Sequence, residues 1–174
     1  MKKLLSLVLA ALFCLSACAL AEETPVTVKV GVVGSTNEQW TDVLVPKLAE
    51  EGINIEIVTF SDYVMPNIAL ASGDIDLNAF QHYNFLENWN DENAETYGTK
   101  LVPIGETLIA PLSMYSDKYA SVDEIQDGDT VAIPDDVTNG GRALKVLAAS
   151  GLITLNADAG FNPTLDDIET YNKQ

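Results

Sequence analysis

Positive charge is scarce in this chain of 174 residues: nine Lys and Arg stand against 26 Asp and Glu, a formal net charge of −17. That deficit excludes a nucleic-acid partner, because no row of cations is present to neutralise phosphates. It also excludes electrostatic docking on anionic lipid. Histidine occurs once and cysteine twice. A His-rich metal site, a Cys-ligated zinc site and a disulfide framework are therefore all excluded, and no metal or cofactor is expected. Catalytic machinery is missing too. There is no Gly-x-Ser-x-Gly, and His82 has no nucleophile to serve as base for, so no enzyme activity is expected. Repeats and low-complexity segments are absent. Apolar residues make up 47% of the chain, enough for the core of a domain of ordinary size, which excludes global disorder.

Met1-Lys2-Lys3 is a basic start, and Leu4 to Ala17 is an almost unbroken apolar run. As a helix the run reaches about 21 Å, short of the roughly 30 Å hydrocarbon core. It reads as a secretory signal. Leu15-Ser16-Ala17-Cys18 at its end resembles the bacterial lipoprotein signal, in which the cysteine is acylated and becomes the first mature residue. The alternative is an ordinary cleavage after a small residue such as Ala21. The expected organisation is a signal peptide over 1–17, lipid attachment at Cys18 and a tether over 18–25. The protein then sits on the extracytoplasmic face of the cell membrane, held through acyl chains.

Beyond the tether, strands and helices alternate. Val26–Val33 and Ile53–Phe60 read as strands, with Ile53, Ile55 and Ile57 on one face. Between them Ser35 and Glu38 have capping-box spacing, and Trp40, Val43, Leu44 and Leu48 make a helical face interrupted at Pro46. Asp62–Ser72 reads as a helix closed by Gly73, Ile75–Phe80 as a third strand, and His82–Thr96 as a helix. Lys100–Ser116 holds two strand-like runs. Thr130–Ile133 reads as a buried strand and Thr138–Ser150 as a helix. This alternation predicts βαβ units and a parallel sheet. Thr164–Tyr171 reads as the start of a helix three residues before the chain stops, where an α/β protein ordinarily returns to its sheet.

Three stretches invite a functional reading. Gly31-Val32-Val33-Gly34-Ser35-Thr36 follows a strand and opens a helix, but its glycine spacing fits neither phosphate-binding fingerprint and no Lys follows. Tyr63, Phe80, His82 and Tyr83 lie just past the carboxyl ends of predicted strands, where open parallel sheets bind ligands. They suit an apolar group with a polar tip, but for an isolated cluster the residues alone favour capping of the core. Arg142, the only arginine, follows Pro134-Asp135-Asp136-Val137-Thr138-Asn139-Gly140-Gly141 between a strand and a helix. Free N–H groups, a positive helix end and a guanidinium make a carboxylate receptor. The competing reading is a surface ion pair of Arg142 with Asp135 or Asp136. The residues alone leave both open.

The last two stretches carry a resemblance. Phe60-Ser61-Asp62-Tyr63-Val64-Met65-Pro66-Asn67 with Ala69-Leu70, then Gly73-Asp74-Ile75-Asp76 and Phe80-Gln81-His82, are similar to the motifs of the NlpA-type lipoproteins. Gly98-Thr99-Lys100-Leu101-Val102, Ile133-Pro134, and Asn139 with Gly141-Arg142-Ala143-Leu144 continue the match in order. That family comprises methionine-binding solute receptors of ABC importers. The resemblance implies an α/β, two-lobed, periplasmic-binding-protein-like (type II) fold, with residues 26–108 in lobe one and 109–174 in an incomplete second lobe. It implies that Tyr63, Phe80, His82 and Phe85 enclose a thioether side chain, and that Arg142, beside Asn139, holds the ligand carboxylate. The implied partners are a small amino acid, methionine first, and an ABC permease. Phe85 stands where a Tyr is usual, Asp135 where an Asn is common, and Gly140 where an acid is common. The alternative role is a surface lipoprotein with a structural or adhesive task and no transport.

Overall fold

Val26–Val33 forms β1, and its valines decide where the sheet lies: Val30 and Val32 are almost wholly buried. The computed structural model describes residues 25–35 and 37–173. The signal peptide, Cys18 and the tether up to residue 24 lie outside the described residues. Two compact units divide the chain between Phe80 and Gln81.

In the first unit β1 is the central strand of a three-stranded parallel sheet of order β2-β1-β3. β2 (Ile53–Phe60) pairs with β1 along its whole length, Val26 opposite Ile53 through Val33 opposite Phe60. The expected βαβ units and parallel sheet are present here. Gly31 allows the close packing around β1, since a Cβ there would stand 2.5 Å from Ile75 Cδ1 and 3.0 Å from Phe60 Cε2. The β1–β2 connection is a π-helical turn (Gln39–Leu44) running into α1 (Val45–Ala49). Pro46 lies in the first turn of α1, where its missing N–H leaves no bond unmade. The Ser35–Glu38 capping box does not form, because the cap of the π-helical turn carries no side-chain hydrogen bond.

Helix α2 (Met65–Ser72) begins three residues later than expected. Asp62 Oδ1 accepts from the N–H groups of Val64 and Met65 at 2.8 and 2.9 Å and holds the intervening residues in a turn. Gly73, at φ 79°, ends the helix in the left-handed conformation. β3 is shorter than the expected Ile75–Phe80: only Leu77–Asn78 pair, beside Val30 and Gly31. The Asp76 carboxylate takes the Lys29 N–H at 2.8 Å, so a side chain replaces a strand carbonyl and closes the ladder.

The second unit is built on two helices. α3 (Tyr83–Tyr97) buries Leu86, Trp89 and Asn90 and ends at Gly98, φ 64°. Asn90 acts as a surrogate strand edge: its Nδ2 donates to the Leu101 carbonyl and its Oδ1 accepts from the Leu101 N–H, both at 2.9 Å. α4 (Val137–Ala149) places Leu144 and Leu147 against Leu152 and Ile153, with Met114, Val122, Ile125, Ile133 and Ile168 packed around them. β4 (Ile153–Leu155) pairs antiparallel with β5 (Ile168–Tyr171).

Three expectations fail in this unit. Thr164–Tyr171 does not start an α-helix. A 3-10 turn at Leu165–Asp167 is closed by a Thr164–Asp167 capping box, and β-branched Ile168 and Thr170 then enter β5. Lys100–Ser116 forms no strand, and Thr130–Ile133 is not a buried strand. A strand requires neighbours for its backbone groups. Among the described residues neither run has such a ladder, so Ile104, Ile109 and Val131 remain exposed. No helix of the described residues is long and apolar enough to cross a membrane.

Replacing Asn90 by Leu should cost about 1–3 kcal/mol, because the N–H and C=O of Leu101 lose their partner together. Urea unfolding checks this. An unchanged midpoint would show that solvent serves Leu101 equally well.

Candidate functional site

Asp136 is the N-cap of α4, extended at φ −74° and ψ 148°. Its Oδ1 accepts from the Thr138 N–H at 3.1 Å, the Asn139 N–H at 2.8 Å and the Thr138 hydroxyl at 2.9 Å. The N–H groups expected to be free for a ligand are thus already taken. The glycines that follow have a packing role instead. A Cβ on Gly140 would stand 2.9 Å from the Pro134 carbonyl oxygen, and one on Gly141 3.0 Å from Asn162 Cα. They let α4 approach neighbouring backbone, not a ligand.

The Asn139 amide lies between an acid and two basic side chains. Its Nδ2 donates to both oxygens of Asp136, at 3.0 and 3.2 Å. Its Oδ1 accepts from Arg142 Nη1 at 3.0 Å and lies 3.0 Å from His82 Nε2. His82 is itself the N-cap of α3, with Nδ1 accepting from the Phe85 N–H at 3.1 Å. Both bonds of the ring require one tautomer, with the proton on Nε2 and a bare Nδ1. The Phe85 ring meets the imidazole edge-on, with centroids 6.2 Å apart.

Arg142 falls in the second turn of α4 and is half-buried. The ion pair with Asp135 or Asp136 weighed from the sequence is not formed. Among the described residues the one salt bridge joins Lys118 to Asp129. Arg142 is therefore oriented by a neutral carbonyl and keeps its charge, with further donors of its fork open to an anion.

In the first unit Tyr63 and Phe80 come together. Their rings stack with centroids 6.1 Å apart and planes inclined by 13°, Tyr63 exposed and Phe80 half-buried. The structure thus gathers Tyr63 with Phe80, and separately His82 with Phe85, Asn139 and Arg142. Tyr83, grouped with the aromatics in the sequence, is exposed and donates to Glu106 at 2.8 Å. That bond, with a little desolvation, raises its pKa. Asp136 escaped the sequence reading as a member of the site, although its position before an apolar helical pattern is a capping signal.

Two cavities of the second unit, of about 510 and 560 Å³, contain none of the expected site residues. The first is lined by apolar groups such as Met114, Val122 and Leu147, and the second by Asp135, Asp136 and Asp166 among others, a poor setting for an anion. Among the described residues no cluster of three or more His, Cys, Asp or Glu is placed to hold a metal ion.

A family model described as NlpA lipoprotein matches residues 28–174. The D-methionine-binding lipoprotein MetQ of Salmonella typhimurium is 45% identical over 156 residues, which are 88% of this chain and 56% of that protein. Among solved structures, the substrate binding protein of a methionine transporter from Streptococcus pneumoniae aligns with a TM-score of 0.74 at 38% identity. It covers 83% of this chain and 57% of its own. A nutrient binding protein from Burkholderia cenocepacia bound to methionine gives 0.74 at 39% identity, covering 83% and 60%. Over the matched part the chain has the α/β fold of these substrate-binding proteins, as the sequence implied, and it spans just over half the length of the curated relative.

The cap makes stability depend on acid. Burial alone would raise the Asp136 pKa, but the hydrogen bonds from Asn139 and Thr138 together hold it below the usual carboxylate range. The folded value is depressed, so the stabilisation is complete above the unfolded value of about 3.9 and is lost as pH falls through the folded one. Asp136→Ala should cost about 0.5–2 kcal/mol near neutral pH. In denaturant melts the gap from wild type should hold above about pH 5 and close below about pH 4. A gap independent of pH would assign the cost to packing instead of the charged cap.

Proposed function

Because this chain belongs to the NlpA lipoprotein family, we propose that it serves as a lipid-anchored, extracytoplasmic solute receptor that binds methionine or a related small apolar amino acid for an ABC importer. It performs no covalent chemistry and passes its ligand to the permease unchanged.

One observation carries this reading: the only arginine of a strongly acidic chain is held by the neutral Asn139 carbonyl and not by an acid. A charge left uncompensated in this way suits a ligand carboxylate, which a guanidinium grips in bidentate fashion. The stacked Tyr63 and Phe80 rings in the first unit, and the Phe85 and His82 rings in the second, each suit an apolar side chain with a polarisable sulfur. Relatives named for methionine support the choice of ligand. The adhesive reading has no use for Arg142 and the aromatics in combination.

Isothermal titration with L- and D-methionine tests the proposal. Saturable binding is expected, and Arg142→Ala should weaken it by about 2–5 kcal/mol while leaving the melting curve in place. A loss smaller than about tenfold removes Arg142 as the carboxylate clamp. A flat thermal-shift response to a panel of amino acids favours adhesion. For the anchor, Cys18→Ala should move the protein from the membrane fraction to the soluble fraction. Retention in the membrane fraction overturns acylation at Cys18 as the means of attachment.

A further inference from the structure

We propose that Asp136 is the positioning residue of the site: it turns the Asn139 amide so that the carbonyl oxygen, and not the NH2, faces Arg142 and His82. The importance of this for ligand binding rests on the reading of Arg142 as carboxylate receptor, whereas the orientation itself is a property of the ligand-free chain.

The two ends of a side-chain amide have nearly the same shape, so the neighbours decide which way it points. Asn139 Nδ2 lies 3.0 Å from Asp136 Oδ2 and 3.2 Å from Oδ1, and donates to an anion through charge-assisted bonds. The flipped amide would set its carbonyl oxygen against that carboxylate. It would also set NH2 against the guanidinium, whose Nη1 is 3.0 Å away, and against the Nε2–H of His82 at the same distance. Every contact of the flipped form joins groups of like polarity.

Asp136 can impose this choice because it cannot itself turn away. Backbone N–H groups of Thr138 and Asn139 and the hydroxyl of Thr138, the last residue almost wholly buried, hold its Oδ1. Orientation passes from the helix backbone through Asp136 and Asn139 to Arg142 and His82. His82 is held from its other side by the Phe85 N–H. The relay also explains how an acid serves a site meant for an anion. In direct contact Asp136 would neutralise Arg142, but one amide removed it orients the guanidinium and leaves its charge for the ligand. The affinity gained is that of preorganisation.

Asp136→Asn tests this, since Asn is as good an N-cap as Asp and nearly the same shape. Its carbonyl can keep the helix N–H groups, while its NH2 now faces Asn139 and favours the flipped amide. In the ligand-free chain, nitrogen NMR should show wild-type His82 protonated on Nε2 with Nδ1 bare. Asp136→Asn should remove that signature and shift the Asn139 and Arg142 side-chain resonances, with little change in melting temperature. Methionine affinity should fall about tenfold, and Asn139→Ala should abolish this dependence on residue 136. Unchanged resonances in Asp136→Asn overturn the proposal, and so does an equal loss of affinity in the Asn139→Ala background, which marks a merely structural cap. If Asp136→Asn does not fold, Asp136→Ser takes its place, because Ser caps but cannot bridge both bonds to the amide. If the wild type binds no methionine, the functional reading fails by itself and the resonances alone decide the role of Asp136.

Discussion

The start of α4 depends on one carboxylate meeting the first N–H groups of a helix. Those groups have no intrahelical partner, and an anion among them is favoured by both hydrogen bonding and the helix dipole. Asp136 fills that place, and its lone pairs then reach beyond the backbone to Thr138 and Asn139. The direction of its pKa reflects the balance: burial opposes the charge, and the accumulated hydrogen bonds overcome it. The orientation of Asn139, the placement of Arg142 and the tautomer of His82 all follow from that contact. The approach of α4 to surrounding backbone is what Gly140 and Gly141 permit.

A different constraint shapes the first unit. A parallel strand buried on both faces needs apolar residues throughout, and β1 supplies them at Val30 and Val32 while Gly31 lets Ile75 and Phe60 close over it. Polar side chains then set the limits. Asp62 delays α2, Asp76 cuts β3 short, and Asn78 donates to buried Asn67 at 2.8 Å. Asp62 and Asp76 each replace a backbone partner with a side chain, so α2 and β3 begin where a short acid intervenes. Tyr63 and Phe80 sit just outside these limits, on connections and not in the regular elements, as ligand contacts commonly do.

Much of this was legible in the sequence. The alternation of Val26–Val33 and Ile53–Phe60 and the stops at Gly73 and Gly98 rest on local chemistry, while the motifs around Tyr63, His82 and Arg142 were legible as a family resemblance. What could not be read from it were the elements that depend on distant partners. Lys100–Ser116 and Thr130–Ile133 are apolar enough for strands, yet they lack ladders among the described residues. Ile168–Tyr171, which looked like the opening of a helix, finds its partner in Ile153–Leu155 and becomes a strand.

Sequence by itself determined the acidic character and the two core-forming strands of the first unit. These depend on composition and on neighbours along the chain. Tertiary structure decided what each polar group does once placed. The ion pair of Arg142 with Asp135 or Asp136, which the residues alone leave open, does not form, and Asp136 is bonded to Asn139. The helix N–H groups were read as free and are occupied. Gly140 and Gly141 make close contacts with the backbone of Pro134 and Asn162. The physical reason is the same in each case. A polar group is bound by whichever partner lies within about 3 Å, and the backbone path from Pro134 into α4, which brings Asp136 onto the N–H groups of Thr138 and Asn139 and packs Gly141 against Asn162, fixes those distances.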